Sequence, residues 1–137
     1  MMELDFIKVL RDETNKLNLD FVGALGYLTT AESMALYPLA GGTTIQEFYN
    51  GVKDKRLNFE FAIKTKNNLK AYNTLNQIGR FIDAEPILNS LNGSYTLNRI
   101  AVASEPTMIM QDTAGFFIYQ LTIQAELTLY EGVVMNG

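Results

Sequence analysis

Residues Phe116 to Tyr130 read FFIYQLTIQAELTLY. From Phe117 onward every second residue is apolar: Phe117, Tyr119, Leu121, Ile123, Ala125, Leu127 and Leu129. Between them stand Gln120, Thr122, Gln124, Glu126 and Thr128. Successive side chains of a strand point to opposite faces, so this alternation describes one buried face and one wet face. The stretch is therefore a long β-strand, and it commits the fold to a sheet with a covered side. Phe116, Ile118 and Tyr130 fall on the wet side of that strand. A partner covering that face, or helices that partly cover both faces, would account for them.

Lys55 to Lys64, KRLNFEFAIK, repeats the pattern. Leu57, Phe59, Phe61 and Ile63 share one face; Arg56, Asn58, Glu60 and Lys64 share the other, with Ala62 its one apolar member. Upstream, Thr43 to Tyr49 reads as a strand and Asn50-Gly51 as a tight turn. The two strands form a hairpin with Lys53, Lys55 and Arg56 at a basic tip. Asn67 to Ala84 keeps helical spacing through Leu69, Tyr72, Leu75, Ile78, Phe81 and Ile82. Asn67 can cap it and Pro86 limits its run. Its Leu75, Ile78 and Ile82 are expected to pack on Leu57, Phe59, Phe61 and Ile63. Asp5 to Lys16 reads as a first, amphipathic helix.

The remaining segments are shorter. Phe21 to Leu28 reads as a buried or edge strand. Met34 to Leu39 is similar and runs into Pro38 and Gly41-Gly42, expected to form a bend or loop. Tyr95 to Ala103 is a strand that Glu105-Pro106 is expected to break, with Met108 to Met110 pairing again. Leu91 to Ser94 and Asp112 to Gly115 are turns. The expected fold is α+β: a mostly antiparallel, possibly mixed sheet with two flanking helices. Residues 1–137 are expected to form one structural domain, since 137 residues is an ordinary domain length.

Composition narrows function. The chain has neither cysteine nor histidine. Thiol chemistry, disulfides and Cys-based metal sites are excluded, as is the usual acid/base side chain near neutral pH. Asp12-Glu13 point apart on a helix surface, and Asp83 and Glu85 end a helix, so no carboxylate pair suits hydrolysis or a hard metal. Gly41-Gly42 and Gly23/Gly26 lack a following Gly-Lys-Ser/Thr and read as turns or bulges rather than phosphate loops. The acidic start and the absence of a long apolar run argue against a secretory signal and a membrane span. Net charge is −4, a poor basis for sequence-specific nucleic-acid binding. Yet the charges are separated along the chain. Lys53, Lys55, Arg56, Lys64, Lys66 and Lys70 cluster, while only acids (Glu105, Asp112, Glu126, Glu131) follow Arg99. Opposite potentials on two surfaces favour association in one orientation.

Tyr37-Pro38-Leu39-Ala40-Gly41-Gly42, followed by Tyr49-Asn50-Gly51-Val52-Lys53-Asp54-Lys55-Arg56-Leu57-Asn58-Phe59-Glu60, resembles the phage minor capsid proteins encoded between head and tail genes. Those proteins show a Pro-x-x-Gly-Gly segment, a Tyr-x-x-Gly-x-x-x-x-x-Leu-x-Phe/Tyr strand and an Asn/Asp-capped helix, here Asn68 to Ile82. Leu91-Asn92-Gly93-Ser94-Tyr95 and Asp112-x-x-Gly115-Phe116-Phe117 are similar to further family segments. The likeness spans Met34 to Tyr130 and leaves the N-terminal helix and first apolar strand unmatched.

The resemblance implies a tail terminator of a long-tailed phage. Such a protein forms a ring, usually a hexamer, that caps the completed tail tube and then joins the head connector. Its partners would be itself, the tail-tube protein and head-tail connector proteins. DNA would pass through the ring without sequence-specific binding. The implied place is the head-tail junction of the virion, after assembly in the host bacterial cytoplasm. No catalytic residue, metal or cofactor comes with the family. Candidate interface residues, from the charge pattern and the wet-face apolar residues, are Lys53, Lys55, Arg56, Phe116, Ile118, Glu126, Tyr130 and Glu131. Two other readings stay open: a head-completion stopper or adaptor, and a soluble ligand-binding or enzymatic domain.

Overall fold

The computed structural model describes residues 3–130. Their order is α1 (Phe6–Asn15), β1 (Gly23–Leu25), β2 (Ser33–Glu47), β3 (Lys53–Thr65), α2 (Asn68–Asp83), β4 (Tyr95–Gln111) and β5 (Phe117–Leu129). The five strands form one sheet in the order β1-β2-β3-β5-β4. β1 lies parallel to β2, and the other pairs are antiparallel. The fold is α+β with a mixed, mostly antiparallel sheet and two helices, as expected. β5, the last of the described strands, sits inside the sheet between β3 and β4.

The alternating pattern is realised along β5, and in β3 the expected face is buried from Phe59 to Ile63 while Glu60 and Ala62 between them are buried as well. Phe59 pairs with Ile123 and Phe61 with Leu121, and all four are buried. Met34 and Leu36 extend this face onto β2, opposite Ile63 and Phe61. α2 brings Ala71, Leu75, Ile78 and Ile82 to the same core, and α1 brings Phe6, Val9 and Leu10. The Phe6 ring stacks at a tilt on Phe59, with centroids 5.1 Å apart, and meets Tyr95 edge-on at 5.2 Å. Asn67 caps α2 as expected: its side-chain oxygen accepts from the Lys70 amide at 3.1 Å. Both helices contribute to the core on this one face, and the opposite face is the open one.

Two expected breaks are absent. Pro38 and Gly41-Gly42 lie within β2, which is one strand with an irregular register between Leu39 and Thr43. The Leu36 carbonyl accepts from Gly26 on the β1 side, so Pro38, two residues on, also directs its backbone to that outer edge. β1 ends its pairing at Leu36, so the N–H that proline lacks removes no ladder bond. Gly41 takes φ +96°, a conformation open to glycine, and the extra residues are absorbed as a bulge. Similarly β4 continues through Glu105-Pro106, with register shifts on either side of Ser104. It is an edge strand, where proline is tolerated. The early strand is shorter than Phe21 to Leu28, because only Gly23–Leu25 finds a partner.

Candidate functional site

The open face of the sheet carries a ladder of polar pairs. Arg56 stands opposite Glu126 in register, with Nη2 2.9 Å and Nε 3.2 Å from the same carboxylate oxygen. Gln124 donates to the Asn58 side chain at 3.1 Å. Thr128 donates to Asp54 at 2.6 Å, and Asn98 donates to Thr128 at 2.8 Å. Tyr37 donates to the Glu60 carboxylate, which is 6% exposed and so is not the wet residue its alternation suggested. Burial, and then the Glu60 carboxylate, push the Tyr37 phenol up to about 12. Each strand supplies partners to the next, so the face is polar yet largely satisfied within one subunit.

The candidate interface residues divide between two ends of the sheet. Lys53, Lys55, Arg56, Glu126 and Tyr130 lie at the β2–β3 hairpin end, where Lys53 pairs with Leu129. Lys53 and Lys55 occupy the helix-side parity of β3, and Arg56 the open side. The Tyr130 hydroxyl lies 3.0 Å from Thr96 Oγ1. Phe116 and Ile118 lie at the opposite end. The Lys64 and Lys66 ammonium groups sit 5.1 Å and 4.8 Å from the Phe116 ring centroid. Its own subunit therefore partly covers Phe116. Ile118 lies opposite Lys64 on one side and Met110 on the other. Lys64 is also 3.3 Å from Asp112. Glu131 falls outside the described residues.

Other exposed apolar surface escaped the sequence reading. Residues 40–50, the outer half of β2 and the hairpin tip, are all exposed, including Ile45, Phe48 and Tyr49. Met108, Ile109 and Met110 on β4 are 44–48% exposed. The signal was present, as three consecutive apolar residues in a strand must include some on the uncovered face. What the sequence lacked was that β4 lies at the sheet edge.

Among the described residues no group of three or more Asp or Glu is placed to hold a metal. A recess of about 440 Å³ is lined by Pro86 to Ser90, Gly93 and Tyr95 to Leu97, with no carboxylate, Lys or Arg among them. No described helix is long and apolar enough to cross a membrane.

Residues 8–129 match the family model described as "Bacteriophage tail terminator protein". The chain belongs to the bacteriophage tail terminator family. The terminator is thus a structural virion protein with a role in joining tail and head, and not an enzyme. Its place is with the phage tail. The elements from α1 to β5 all fall within or overlap the matched span. Comparison with curated proteins finds no significant match.

Proposed function

We propose that the terminator acts as one structural domain, six copies of which form a ring that caps the finished tail tube and presents it to the head connector. The observation that carries the ring is the β2–β3 hairpin. Its outer part, residues 40–50, is exposed throughout, and no other described part of the subunit covers it. A strand pair so placed is suited to completion by a neighbour. The charge pattern supports a head-to-tail contact, in which Lys53 and Lys55 on this hairpin face acidic surface of the next subunit or of a virion partner. Arg56 and Glu126 satisfy each other within a subunit and serve mainly to hold that end of the sheet. Phe116, Ile118 and Tyr130 contribute to contacts at the two ends. The internally paired polar face offers DNA no row of free cations, which fits passage through the ring without sequence-specific binding. Assembly takes place in the host cytoplasm.

Electron microscopy of virions, with the subunit located by a bound antibody fragment, tests this reading. The expected density is a six-fold ring at the head-proximal end of the tail tube. Label on filled heads that lack tails would instead identify a stopper and overturn the proposal. Lys53→Glu with Lys55→Glu should leave the subunit folded and abolish capping. Normal capping by that variant would remove the hairpin from the contact.

A further inference from the structure

We propose that neighbouring terminator subunits join edge to edge, with β4 of one against the outer half of β2 of the next, so that one sheet runs on through the assembly. This rests on the ring reading above and names the surface that builds it.

Both edges are open. Among the described residues β4 pairs with β5 alone, so its far side presents unpaired N–H and C=O groups along Tyr95–Gln111. β2 is paired with β1 only through Met34 to Leu36, which leaves its edge free from Tyr37 to Glu47. A strand edge of this kind is a template for another strand, and monomeric proteins blunt it with lysines, prolines, bulges, short strands or cover; β2 and β4 each carry a proline and bulges, but their free edges are long. Here the free part of β2 holds no Lys or Arg, and β4 holds one, Arg99. Pro38 and Pro106 are the only edge prolines, and the residues beyond them are exposed and apolar at Ile45 and at Met108 to Met110.

Strand direction also fits. β2 and β5 run one way and β3 and β4 the other, because three successive pairings are antiparallel. Rotation about a ring axis keeps every sheet the same way up. It sets β4 of one subunit beside β2 of the next in opposite directions, the same pairing the rest of the sheet uses. A closed ring needs such a contact between two different surfaces.

Charge selects this partner over a like-with-like pair. The β2–β3 hairpin carries Lys53, Lys55, Arg56 and Lys64 against Glu47, Asp54 and Glu60, an excess of base. The β4–β5 hairpin carries Arg99 against Glu105, Asp112 and Glu126, an excess of acid. Two copies of β4 edge to edge would bring acidic hairpins together, whereas β4 against β2 joins opposite signs.

The absence of cysteine makes the test clean. Thr44→Cys on β2 is combined in turn with Asn98→Cys, Ser104→Cys and Met108→Cys on β4, and the protein is oxidised after assembly with tail-tube protein. The expected result is a disulfide ladder of covalent multimers for at least one pair, and none for any single variant. Dimers from a β4 cysteine alone would show like-with-like pairing and overturn the proposal. Hydrogen exchange on the unaltered protein gives a second readout. Amides of β4 and of the outer half of β2 should slow at least tenfold on assembly. Rings visible by microscopy, with those amides unchanged and no cross-link from any pair, would refute edge pairing and leave the ring standing. A chain that stays monomeric with tail tubes present would refute both.

Discussion

Arg56 on β3 faces Glu126 on β5 in direct register, and its Nη2 lies 2.9 Å from Glu126 Oε1. The two residues are 70 apart in sequence, so the pair links two strands that are distant in the chain. Their side chains are 44% and 26% exposed. Water therefore screens the attraction, and a double-mutant cycle should return a coupling of about 0.2–1 kcal/mol. Arg56→Ala alone should cost about 0.5 kcal/mol in the isolated subunit. A loss several times larger in urea unfolding would show that the pair is a structural keystone rather than a surface bridge.

Phe59 gives the contrast. It is 4% exposed, on the parity opposite to Arg56, and stacks on Phe6 of α1. Phe59→Ala should cost about 3–5 kcal/mol, as large core truncations do. Measured beside Arg56→Ala, it checks the strand register, because a slip of one residue would exchange the two faces and their costs.

Asp5 ties the start of α1 to the turn before β4. Its carboxylate accepts from Ser90 Oγ at 2.7 Å, Ser94 Oγ at 3.0 Å, and the Leu91 and Asn92 amides at 2.8 and 3.3 Å. Partial burial raises its pKa, but the four hydrogen bonds together outweigh this and hold it below the ordinary 3.8. A carboxylate depressed in the folded state contributes stability that is fully present above its unfolded pKa. That contribution is lost as pH falls through the lowered folded value. The unaltered protein should therefore lose stability below about pH 4, and Asp5→Asn should lose less over the same range. At neutral pH Asp5→Ala should cost about 1 kcal/mol, the low end for charged hydrogen bonds because the site is half-exposed. Identical acid profiles for Asp5→Asn and the unaltered protein would remove Asp5 from this account.

Thr74 Oγ1 is buried in α2 with no hydrogen-bond partner. An unsatisfied buried hydroxyl is unfavourable, and valine has nearly the same shape. Thr74→Val should raise the urea midpoint, by about 1 kcal/mol in stability. A fall instead would mean that the hydroxyl has a partner in solution.

What could be read in the sequence followed from periodicity. β3, β5 and α2 each keep one period over a long run, and most of their expected faces are buried; Leu69 and Tyr72 in the first turns of α2 are exposed, and Glu60 on the wet side of β3 is buried. Pro38 and Pro106 read as breaks because their effect depends on where the strand lies, while Gly41-Gly42 form the bulge that was one of the roles expected of them. A proline whose backbone points to an open edge removes no bond, and a glycine in a bulge interrupts register without ending the strand. Sheet order is a matter of long-range pairing, which no local pattern reports. For that reason Lys53, Lys55 and Arg56 could be grouped as basic, while Arg56's partner Glu126 could not be named. The Asp5 clamp was equally hidden, since it joins residues 85 to 89 positions apart.

The central position of β5 has a consequence for synthesis. As the chain leaves the ribosome, β2 and β3 can zip into a hairpin at once, because they are adjacent. β3 then waits for β5, whose Leu129 meets Lys53 at one end and whose Phe117 meets Thr65 at the other. Until that strand emerges, β4 has no partner at all, and the core face of β3 is only half built. Contacts this distant slow folding, because a long loop must close before any of them forms. The order of translation therefore delays completion of this sheet until β5 has been made. A nascent fragment that stops short of β5 carries β4 only as an unpaired segment, and the edge on which we propose assembly depends comes into being with β5.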